Sequence, residues 1–342
     1  MSEKNGSTSR INQNSKKHRL KQRDLVMNIF FFFEEEYENK EVDSIWDIEL
    51  PIERIRDYLS KKCSVNYRSN LWVYTQLRRY EEELGVKLFR KLPSHPGSNG
   101  FKLAIHRDMV KFYQKQHLYV SKKIKVANGV YDKIRHDFES MAKQRSNEVS
   151  RGLRILLGAG STIYHLANII AEKSWEDDIH YTIYTHNLGS LKRLLEPTVN
   201  YRNVEVCTPA GKIDPVTYTI FGNDNPLYEN VLFDYIIMGT SYVYDGRLYV
   251  ESKKETEIKR HLLACKARNR ILILTKHEFT DRKPENPKAF GRLTDYDYIV
   301  VPHINISTGI KKRYDSIFDS YNRFFQPEII HWNYSILKTI KD

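Results

Sequence analysis

Cysteine is scarce in this chain of 342 residues, which has only Cys63, Cys207 and Cys265. No pair of them has the C-x-x-C spacing of a metal or redox site, and three cysteines are too few for a disulfide framework. We therefore expect neither a metal centre nor disulfide bonds, and no cofactor is predicted by any other pattern. This scarcity is typical of a protein in a reducing compartment, so a cytoplasmic location is expected.

Long apolar runs are missing as well. The block of phenylalanines at residues 30–33 is followed at once by three glutamates. A membrane-spanning helix needs about 20 apolar residues, so this block is predicted to be the buried face of a helix, and no membrane partner is expected. No secretory signal is seen, and the polar, basic residues 1–20 lack apolar periodicity, which predicts a disordered tail.

Acidic residues are few in one part of the chain. Between residues 61 and 125 there are 15 Lys and Arg but only 4 Asp and Glu, whereas the whole chain has 55 and 43. A local excess of positive charge favours a polyanionic partner, such as double-stranded DNA. A solvated basic surface without a partner is the alternative interpretation.

The order of patterns in residues 21–105 predicts a winged helix-turn-helix, a DNA-binding domain. Apolar periodicity predicts three helices, at residues 21–36, 51–59 and 69–83. The third begins at Ser69, a good N-cap residue. A turn-rich segment at residues 93–100 then predicts a hairpin, the wing, over residues 91–102. A recognition helix followed by a basic wing is typical of proteins that bind duplex DNA.

The third helix is the predicted recognition helix. Asn70, Tyr74 and Arg78 are spaced by four and therefore share one face. Arginine suits guanine and asparagine suits adenine, so this face is predicted to enter the major groove. The alternative is that Tyr74 packs inward and only Arg78 contacts DNA. The predicted DNA-binding residues of helix and wing are Arg68, Asn70, Tyr74, Thr75, Arg78, Arg79, Lys91 and Lys102.

The sequence Y-E-E-E-L-G-V-K-L-F at residues 80–89 resembles the N-terminal domain of LysR-type transcriptional regulators. In that family a serine-started recognition helix runs into L-E-E-E-L-G-x-x-L-F-x-R, followed by a glycine-bearing wing. The resemblance implies a winged helix that binds DNA. Tyr80 stands where leucine is usual and the wing is longer, so the base preference of the family is not carried over.

A 3–4 alternation of apolar positions follows, in the segment 106–150. Its members are Val110, Tyr113, His117, Val120, Ile124, Ala127, Tyr131, Ile134, Phe138 and Met141. Such a heptad seam predicts helices that pair along their length, so a dimerising linker and a homodimer or higher oligomer are expected. LysR-type proteins also have a dimerising linker helix here. The alternative is two shorter helices, broken at Asn128-Gly129, that pack on their own domain.

From residue 151 to 310, short β-rich runs alternate with helical patterns. The runs are at residues 153–157, 181–184, 204–207, 233–238, 271–274 and 298–301. This order predicts an α/β domain with a mostly parallel sheet, and a helical extension is expected over residues 311–342. Ligands of such sheets bind at the carboxyl ends of the strands. There the loop G-A-G-S-T, residues 158–162, joins the first strand to a helix, and helix N-terminal amides suit an anion such as phosphate. A plain turn is the alternative.

The polar and glycine residues at these strand ends are the predicted effector site. They are Gly158, Gly160, Ser161, Thr162, Asn187, Gly211, Lys212, Gly239, Lys259 and Lys276. Lys276 and Lys259 are expected to provide the positive charges opposite a phosphate.

These loops, taken in order, resemble the effector-sensing domain of DeoR-type repressors. That family shows D-x-G-T-T, T-N-S-L, a G-G element, F-D-x-x-x-x-G, E-x-E-x-K-R on a helix, and a strand that ends before S-K-F. The corresponding elements are G-A-G-S-T at 158–162, T-H-N-L at 185–188, A-G-K at 210–212, F-D with a later glycine at 233–239, E-T-E-I-K-R at 255–260 and K-H-E-F at 276–279. The resemblance implies a fold related to ribose-phosphate isomerases and glucosamine-phosphate deaminases.

Three departures from the family pattern affect the ligand. Gly158 replaces the loop aspartate, which usually hydrogen-bonds a sugar hydroxyl, and His186 is inserted before Asn187. In K-H-E-F, two residues separate the lysine from the phenylalanine, whereas these two residues are adjacent in S-K-F. The predicted ligand is therefore a phosphorylated metabolite or a nucleotide, rather than an ordinary sugar phosphate.

The combined prediction is a DNA-binding transcriptional regulator, a repressor, whose C-terminal domain senses that ligand and which is not an enzyme. The alternative is a sugar-phosphate isomerase-like enzyme with a nucleic-acid-binding N-terminal domain. Glu251, Glu255 and Glu257 with Lys259 would supply its acid and base, although the same residues read equally as a charged helix face. The loss of the loop aspartate argues against catalysis. A third interpretation is an interaction protein whose sensor domain binds nothing.

Overall fold

The structure is a computed structural model that describes residues 20–67, 69–94, 100–109, 111–144, 152–222, 225–286, 288–303 and 310–341. The predicted tail up to residue 19, Arg68, the tip of the predicted wing at residues 95–99 and Val110 lie outside these residues. Helices and strands are numbered below in chain order.

The N-terminal unit, residues 20–109, is built from three helices and three short strands. These are α1 (Gln22–Glu38), β1 (Leu50–Pro51), α2 (Ile52–Lys62), α3 (Asn70–Leu84), β2 (Phe89–Pro93) and β3 (Phe101–Ile105). The strands pair antiparallel in the order β1-β3-β2, and the three helices pack against them over one apolar core. Phe30 and Phe33 of α1 are completely buried in that core, which confirms that the phenylalanine block is an internal helix face.

Helix α3 begins and ends where its local sequence predicts. The Ser69 hydroxyl oxygen accepts a hydrogen bond from the Trp72 amide at 3.3 Å, which is the N-cap contact. Gly85 terminates the helix in the left-handed conformation with φ of 62°, which a glycine adopts without strain. Val73 and Leu77 are fully buried, so this side of α3 faces the core.

A linker of two helices, α4 (Phe112–Lys115) and α5 (Val120–Gln144), follows the N-terminal unit. The break at Asn128-Gly129 that the alternative interpretation assumes is absent, since α5 runs through these residues. Gly129 is needed for close packing rather than for a turn: a Cβ atom there would lie 2.7 Å from the ring atom Cδ2 of Tyr334. A bulkier residue would push the C-terminal hairpin off the helix.

The heptad seam of α5 is buried against the chain's own sheet, which corrects the interpretation that these side chains pair two chains. Ala127 and Ile134 are fully buried and Tyr131 is 4% exposed, in a core shared with the sheet. Ile124 is the seam position that stays 37% exposed among the described residues. The alternative of packing on the own domain therefore applies to the seam, while oligomerisation through another surface stays a prediction.

The C-terminal domain contains an eight-stranded sheet in the order β15-β16-β14-β12-β9-β4-β5-β6. Its strands are β4 (Leu153–Leu157), β5 (Tyr181–Thr185), β6 (Val204–Cys207), β9 (Phe233–Met238), β12 (Ala267–Ile273), β14 (Tyr298–Pro302), β15 (Phe325–Ile330) and β16 (Tyr334–Thr339). The six strands from β14 to β6 are parallel, as the sequence predicts, and β16 and β15 continue the sheet antiparallel.

Both faces of this sheet are covered, which explains the near-continuous apolar strands. Along β4, Ile155 and Leu157 face α5 and α6, whereas Leu156 faces the opposite core, in line with the two-residue period of a strand. The remaining helices are α6 (Ser161–Lys173), α7 (Leu188–Leu194), α8 (Asn225–Tyr228), α9 (Lys253–Ala264) and α10 (Arg313–Asp319). The short strands are β7 (Lys212–Asp214), β8 (Thr219–Phe221), β10 (Tyr242–Tyr244), β11 (Arg247–Tyr249) and β13 (Gly291–Arg292).

The chain reverses its direction of travel across the sheet between β4 and β9. After β4 it passes through α6 to β5 and then through α7 to β6, whereas β9 lies on the other side of β4. The loops that leave β4 and β9 therefore diverge and open a crevice at the carboxyl edge of the sheet. Open α/β sheets bind ligands at such a point.

The segment 311–342 differs from the helical extension expected from its sequence. Among its described residues, 311–341, only those of α10 form an α-helix, and the hairpin of β15 and β16 forms most of the rest. Tyr334 and Ile336 of β16 are buried against α5, so the hairpin closes the core at that edge of the sheet.

Candidate functional site

A cavity of about 300 Å³ lies at the crevice between β4 and β9. One wall is formed by the loops after these strands, which contribute Gly160, Ser161 and Thr162 and, from β9, Gly239, Thr240 and Ser241. The opposite wall is the linker, which contributes Phe112, Lys115, Leu118, Tyr119 and Lys123. The cavity thus lies between the predicted effector loops and the segment that leads to the N-terminal unit.

The floor of the cavity is the N-terminus of α6. Gly160 precedes this helix with φ of 124°, a backbone conformation that L side chains rarely adopt. No side chain caps the helix, so the amides of its first turn lack the usual acceptor. A Cβ atom built on Gly160 would meet no atom within 4 Å, which shows that the loop is open. Uncapped amides with the positive end of a helix dipole suit an anion.

Asn187 supports this loop from beneath. Its amide nitrogen donates to the Gly160 carbonyl oxygen at 3.0 Å, and its Oδ1 accepts from the amides of Gly189 at 3.0 Å and Ser190 at 3.3 Å. The side chain is 1% exposed. Asn187 therefore positions Gly160 and caps α7, which differs from the direct ligand contact that the sequence predicts.

Lys123 of the linker helix lies at the cavity, although the sequence analysis does not select it. Its ammonium group donates to Ser161 Oγ at 2.9 Å and to the Lys115 carbonyl oxygen at 2.5 Å. The residue is 5% exposed, and burial lowers the pKa of the ammonium group to about 7. A signal was present in the sequence, since Lys123 falls on the same helix face as the buried Val120 and Ala127.

Glu255 and Lys259 of α9 form a second polar group at the cavity. Lys259 is 1% exposed, its Nζ donates to the Gly239 carbonyl oxygen at 2.7 Å, and it lies 3.8 Å from Glu255 Oε1. Burial raises the pKa of Glu255 and lowers the pKa of Lys259, because desolvation outweighs an attraction over this distance. Glu251 also lines the cavity and bonds Lys115, whereas Glu257 is exposed and outside it.

Five predicted effector residues do not line the cavity: Asn187, described above, and Gly158, Gly211, Lys212 and Lys276. Gly158 lies beneath the loop, where its amide donates to the Ile237 carbonyl oxygen at 2.9 Å. Gly211 and the exposed Lys212 belong to the β7–β8 hairpin, which reaches the cavity through Thr217 and Thr219 instead.

Lys276 is the largest departure. It is buried and points to Asp315 of α10, with Nζ and Oδ1 3.4 Å apart, in a separate cavity of about 400 Å³ beside α1. Burial lowers its pKa. Lys276 follows β12, and its neighbours Thr275 and His277 line the first cavity, whereas its own side chain lies in the second.

The predicted base-reading face of α3 has partners within the N-terminal unit. Arg78 pairs with the buried Glu81 at 2.5 Å, and Asn70 donates to Glu53 at 3.0 Å. Tyr74 packs edge-on against Phe101 of the wing, with ring centroids 5.0 Å apart. This arrangement agrees with the alternative in which Tyr74 packs inward.

The outward face of the same helix carries other residues. Arg79 is exposed, Thr75 is half-buried and Leu71 is 67% exposed. On the hairpin, Lys91 is exposed above the rings of Tyr74 and Phe101, while Lys102 pairs with Glu49 at 3.2 Å. Since Arg68 is not described, Arg79 and Lys91 are the predicted basic contacts with the fewest competing partners.

Within the described part of the chain, no helix has the length and apolar character needed to cross a membrane. The same residues contain no cluster of three or more His, Cys, Asp or Glu that would hold a metal ion.

The C-terminal domain is similar to a known family of domains. Residues 138–302, from the end of α5 to β14, match the family model of the DeoR C terminal sensor domain. The match confirms the resemblance that the loop motifs indicate. No curated protein matches the chain.

Several solved structures are similar at low identity. Ribose 5-phosphate isomerase A from Methanocaldococcus jannaschii is 13% identical, with 64% of this chain and 80% of that chain covered and a TM-score of 0.29. The corresponding enzyme from Neisseria gonorrhoeae is 10% identical, with 68% and 77% covered and a TM-score of 0.29. eIF2B delta from Chaetomium thermophilum is 10% identical, with 78% and 85% covered and a TM-score of 0.30. Values this low support no inference about the function of this chain.

Proposed function

We propose that this chain is a transcriptional regulator, a repressor, that binds duplex DNA through its N-terminal unit and a phosphorylated small molecule in the cavity under the linker. The match of residues 138–302 to a sensor domain of DeoR type supports the class of protein. The main observation in favour of a phosphorylated ligand is the uncapped N-terminus of α6, which follows Gly160 and lines the cavity. Backbone amides in that position bind phosphate groups in other helices.

The proposal for DNA rests on the N-terminal unit as a winged helix-turn-helix. The order helix, strand, helix, helix and hairpin supports it, with α3 as the recognition helix and β2–β3 as the wing. Arg79 and Lys91 are exposed on these two elements. The excess of basic residues between 61 and 125 would provide the phosphate contacts.

A second candidate function is a sugar-phosphate isomerase-like enzyme, and one observation favours it. Glu255 and Lys259 lie at the cavity with pKa values shifted by burial, one upward and the other downward, which is a frequent property of acid–base groups. However, Lys259 is bonded to the Gly239 carbonyl oxygen, which gives it a structural role in the loop. The regulator remains the better-supported function.

A thermal-shift screen of phosphorylated metabolites and nucleotides, with the unphosphorylated compounds as controls, tests the proposal. A ligand present at 100 times its dissociation constant should stabilise the fold by about 2.7 kcal/mol. Stabilisation by phosphorylated compounds without turnover would support a sensor. Turnover of any stabilising sugar phosphate would favour the enzyme, and the absence of stabilisation by every phosphorylated compound would contradict a phosphate site.

A further inference from the structure

Lys123 has an unusual position for a charged side chain. It is 5% exposed, and within the described ranges no carboxylate oxygen lies within 4.0 Å of its Nζ. Its hydrogen-bond acceptors are two neutral groups, the Ser161 hydroxyl oxygen and the Lys115 carbonyl oxygen. Glu278, which lines the same cavity, and Glu34 attract this ammonium group from more than 4.0 Å away, but burial outweighs their attraction and lowers its pKa. An anion in direct contact with the ammonium group would offset the cost of its burial.

The same side chain is placed where such an anion would be bound. Ser161 is the first residue of α6, so the Lys123 ammonium group is hydrogen-bonded to a side chain of the first turn of this uncapped helix. Helix amides and a lysine together provide donors on two sides of an anion. Lys122 and Lys125, the neighbouring lysines of α5, line the separate cavity beside α1 instead.

The turn of α5 that carries Lys123 is also the turn that holds the N-terminal unit. The carboxylate of Glu34, on α1, accepts hydrogen bonds from the Val120 amide at 2.7 Å and the Ser121 amide at 3.3 Å, and from the Ser121 hydroxyl. These hydrogen bonds cap the N-terminus of α5, and the cap is buried, since Glu34 is only 6% exposed. One helical turn therefore contacts the predicted effector loop on one side and α1 on the other.

A second contact joins α3, the proposed recognition helix, to the residues that immediately precede α5. The Tyr80 hydroxyl of α3 lies 3.0 Å from His117 Nε2, and His117 Nδ1 lies 2.7 Å from the Tyr113 carbonyl oxygen. Burial lowers the pKa of His117 to about 4, so the ring is neutral and accepts from the tyrosine. Tyr80 is the position at which the motif of α3 departs from leucine, and the structure gives the hydroxyl a partner.

We propose that Lys123 binds the anionic group of the ligand and that the first turn of α5 thereby transmits occupancy of the cavity to α1 and α3. This inference rests on the proposed function and adds a residue of the linker to the ligand site. On binding, the ammonium group exchanges the Ser161 hydroxyl for a charged acceptor, which changes the restraint on the turn that Glu34 caps. The ligand class is a small molecule with a phosphate or similar dianion that fits the 300 Å³ cavity.

The test uses inorganic phosphate as the probe, with the full chain and with chloride at equal ionic strength as the reference. Lys123→Met keeps the length of the side chain and removes its charge. Lys125→Met is the matched control, because it removes one charge from the same helix outside the cavity. We expect Lys123→Met to bind phosphate at least tenfold more weakly than the wild type in a melting-temperature titration. Lys125→Met should bind it as the wild type does.

A second variant keeps the test decisive if Lys123→Met fails to fold. Ser161→Asp places a carboxylate against the Lys123 ammonium group, so it should raise the melting temperature without phosphate and suppress the phosphate-induced shift. Equal phosphate affinity of the wild type and a folded Lys123→Met, or of the wild type and Ser161→Asp, would overturn this inference and leave the proposed function standing. If phosphate and phosphorylated compounds protect neither the wild type nor any variant, the proposed function fails and this inference fails with it.

Discussion

Individual residues of the predicted DNA-binding face carry structural tasks that the sequence spacing does not reveal. Helical spacing correctly groups Asn70, Tyr74 and Arg78 on one face, but it cannot show which neighbours that face meets. Glu81, which is 3% exposed, accepts from the amides of Leu88 and Phe89 at 2.7 and 2.9 Å. Arg78 provides the opposite charge for this buried carboxylate.

Arg78→Ala should therefore lower stability as well as DNA affinity. Loss of the guanidinium group leaves the Glu81 carboxylate without its counter-charge, and we expect the free energy of unfolding to fall by about 1–3 kcal/mol. Arg79→Ala, at the exposed neighbouring position, should change it by less than about 0.5 kcal/mol while weakening DNA binding. Urea denaturation measures both values. Equal stability of the two variants would show that the pair with Glu81 is not important for the fold.

The sequence also predicts only some of the residues at the candidate effector site. Gly160, Ser161 and Thr162 were identifiable because a glycine-bearing loop between a strand and a helix has a recognisable pattern, and the structure places all three at the cavity. Lys123 lies in the linker helix α5, 38 residues before Ser161 in the sequence, so only the tertiary fold brings the two together. Lys276 was assigned from its place after a strand, but its side chain pairs with Asp315 in the other cavity.

At the scale of the elements, the order of helices and strands in the C-terminal domain was largely predictable. Parallel strands covered on both faces produce apolar runs between helical patterns, and β4, β5, β6, β9 and β14 lie where those runs predict. The hairpin of β15 and β16 was missed, because one edge of it is exposed and its pattern mixes polar and apolar positions. The continuity of α5 agrees with the predicted seam, whereas the alternative of a break came from Asn128-Gly129, a common breaker of helices.

Gly129→Ala tests whether packing or helix propensity governs this position. Alanine favours a helix over glycine by about 1 kcal/mol, yet its methyl group would lie 2.7 Å from the Tyr334 ring. Overpacking of this kind costs about 1–3 kcal/mol, so the free energy of unfolding should fall overall. Asn128→Ala, at the exposed adjacent position, is the control, and its free energy of unfolding should not fall. A stabilised Gly129→Ala would mean that the hairpin does not pack against α5 as closely as described.

The junction of α1 and α5 should respond to pH through Glu34. Burial raises the pKa of this carboxyl group from 4.5 to about 7 in the folded chain. Between those values the folded chain keeps a proton that the unfolded chain has released, so this group makes stability fall as the pH rises. Glutamine has no proton to lose and should remove that dependence.

We therefore expect the free energy of unfolding of Glu34→Gln, relative to the wild type, to increase by about 1–3 kcal/mol between pH 5 and pH 8. Denaturation curves of both proteins over this range give the difference. Glu35→Gln removes a carboxylate from an exposed position of the same helix and serves as the control. A constant difference between Glu34→Gln and the wild type would contradict a strained, buried carboxylate at the junction.

For the whole molecule, the oligomeric state remains a prediction. A regulator that matches two half-sites on DNA is expected to be at least a dimer, although the seam of α5 is occupied within the chain. Sedimentation of the wild type at micromolar concentration should show a dimer or larger species, and a monomer would end this expectation.

The central claim is that an anionic ligand in the cavity under the linker controls DNA binding. The most direct measurement is the affinity of the full chain for a duplex that it selects from a randomised pool, with and without the phosphorylated compound that stabilises it best. Coupling between sites is typically about 1–3 kcal/mol, so the affinity of the wild type should change by about 5- to 150-fold.

The same measurement on Gly160→Asp and Gly160→Ala identifies the site. Both variants share the cost of a side chain at φ of 124°, but only the aspartate adds a negative charge where the ligand's anion is expected. The account predicts that Gly160→Asp binds the duplex without responding to the ligand, while Gly160→Ala retains a response. A normal ligand response of Gly160→Asp, or no change in DNA affinity of the wild type on ligand binding, would contradict it.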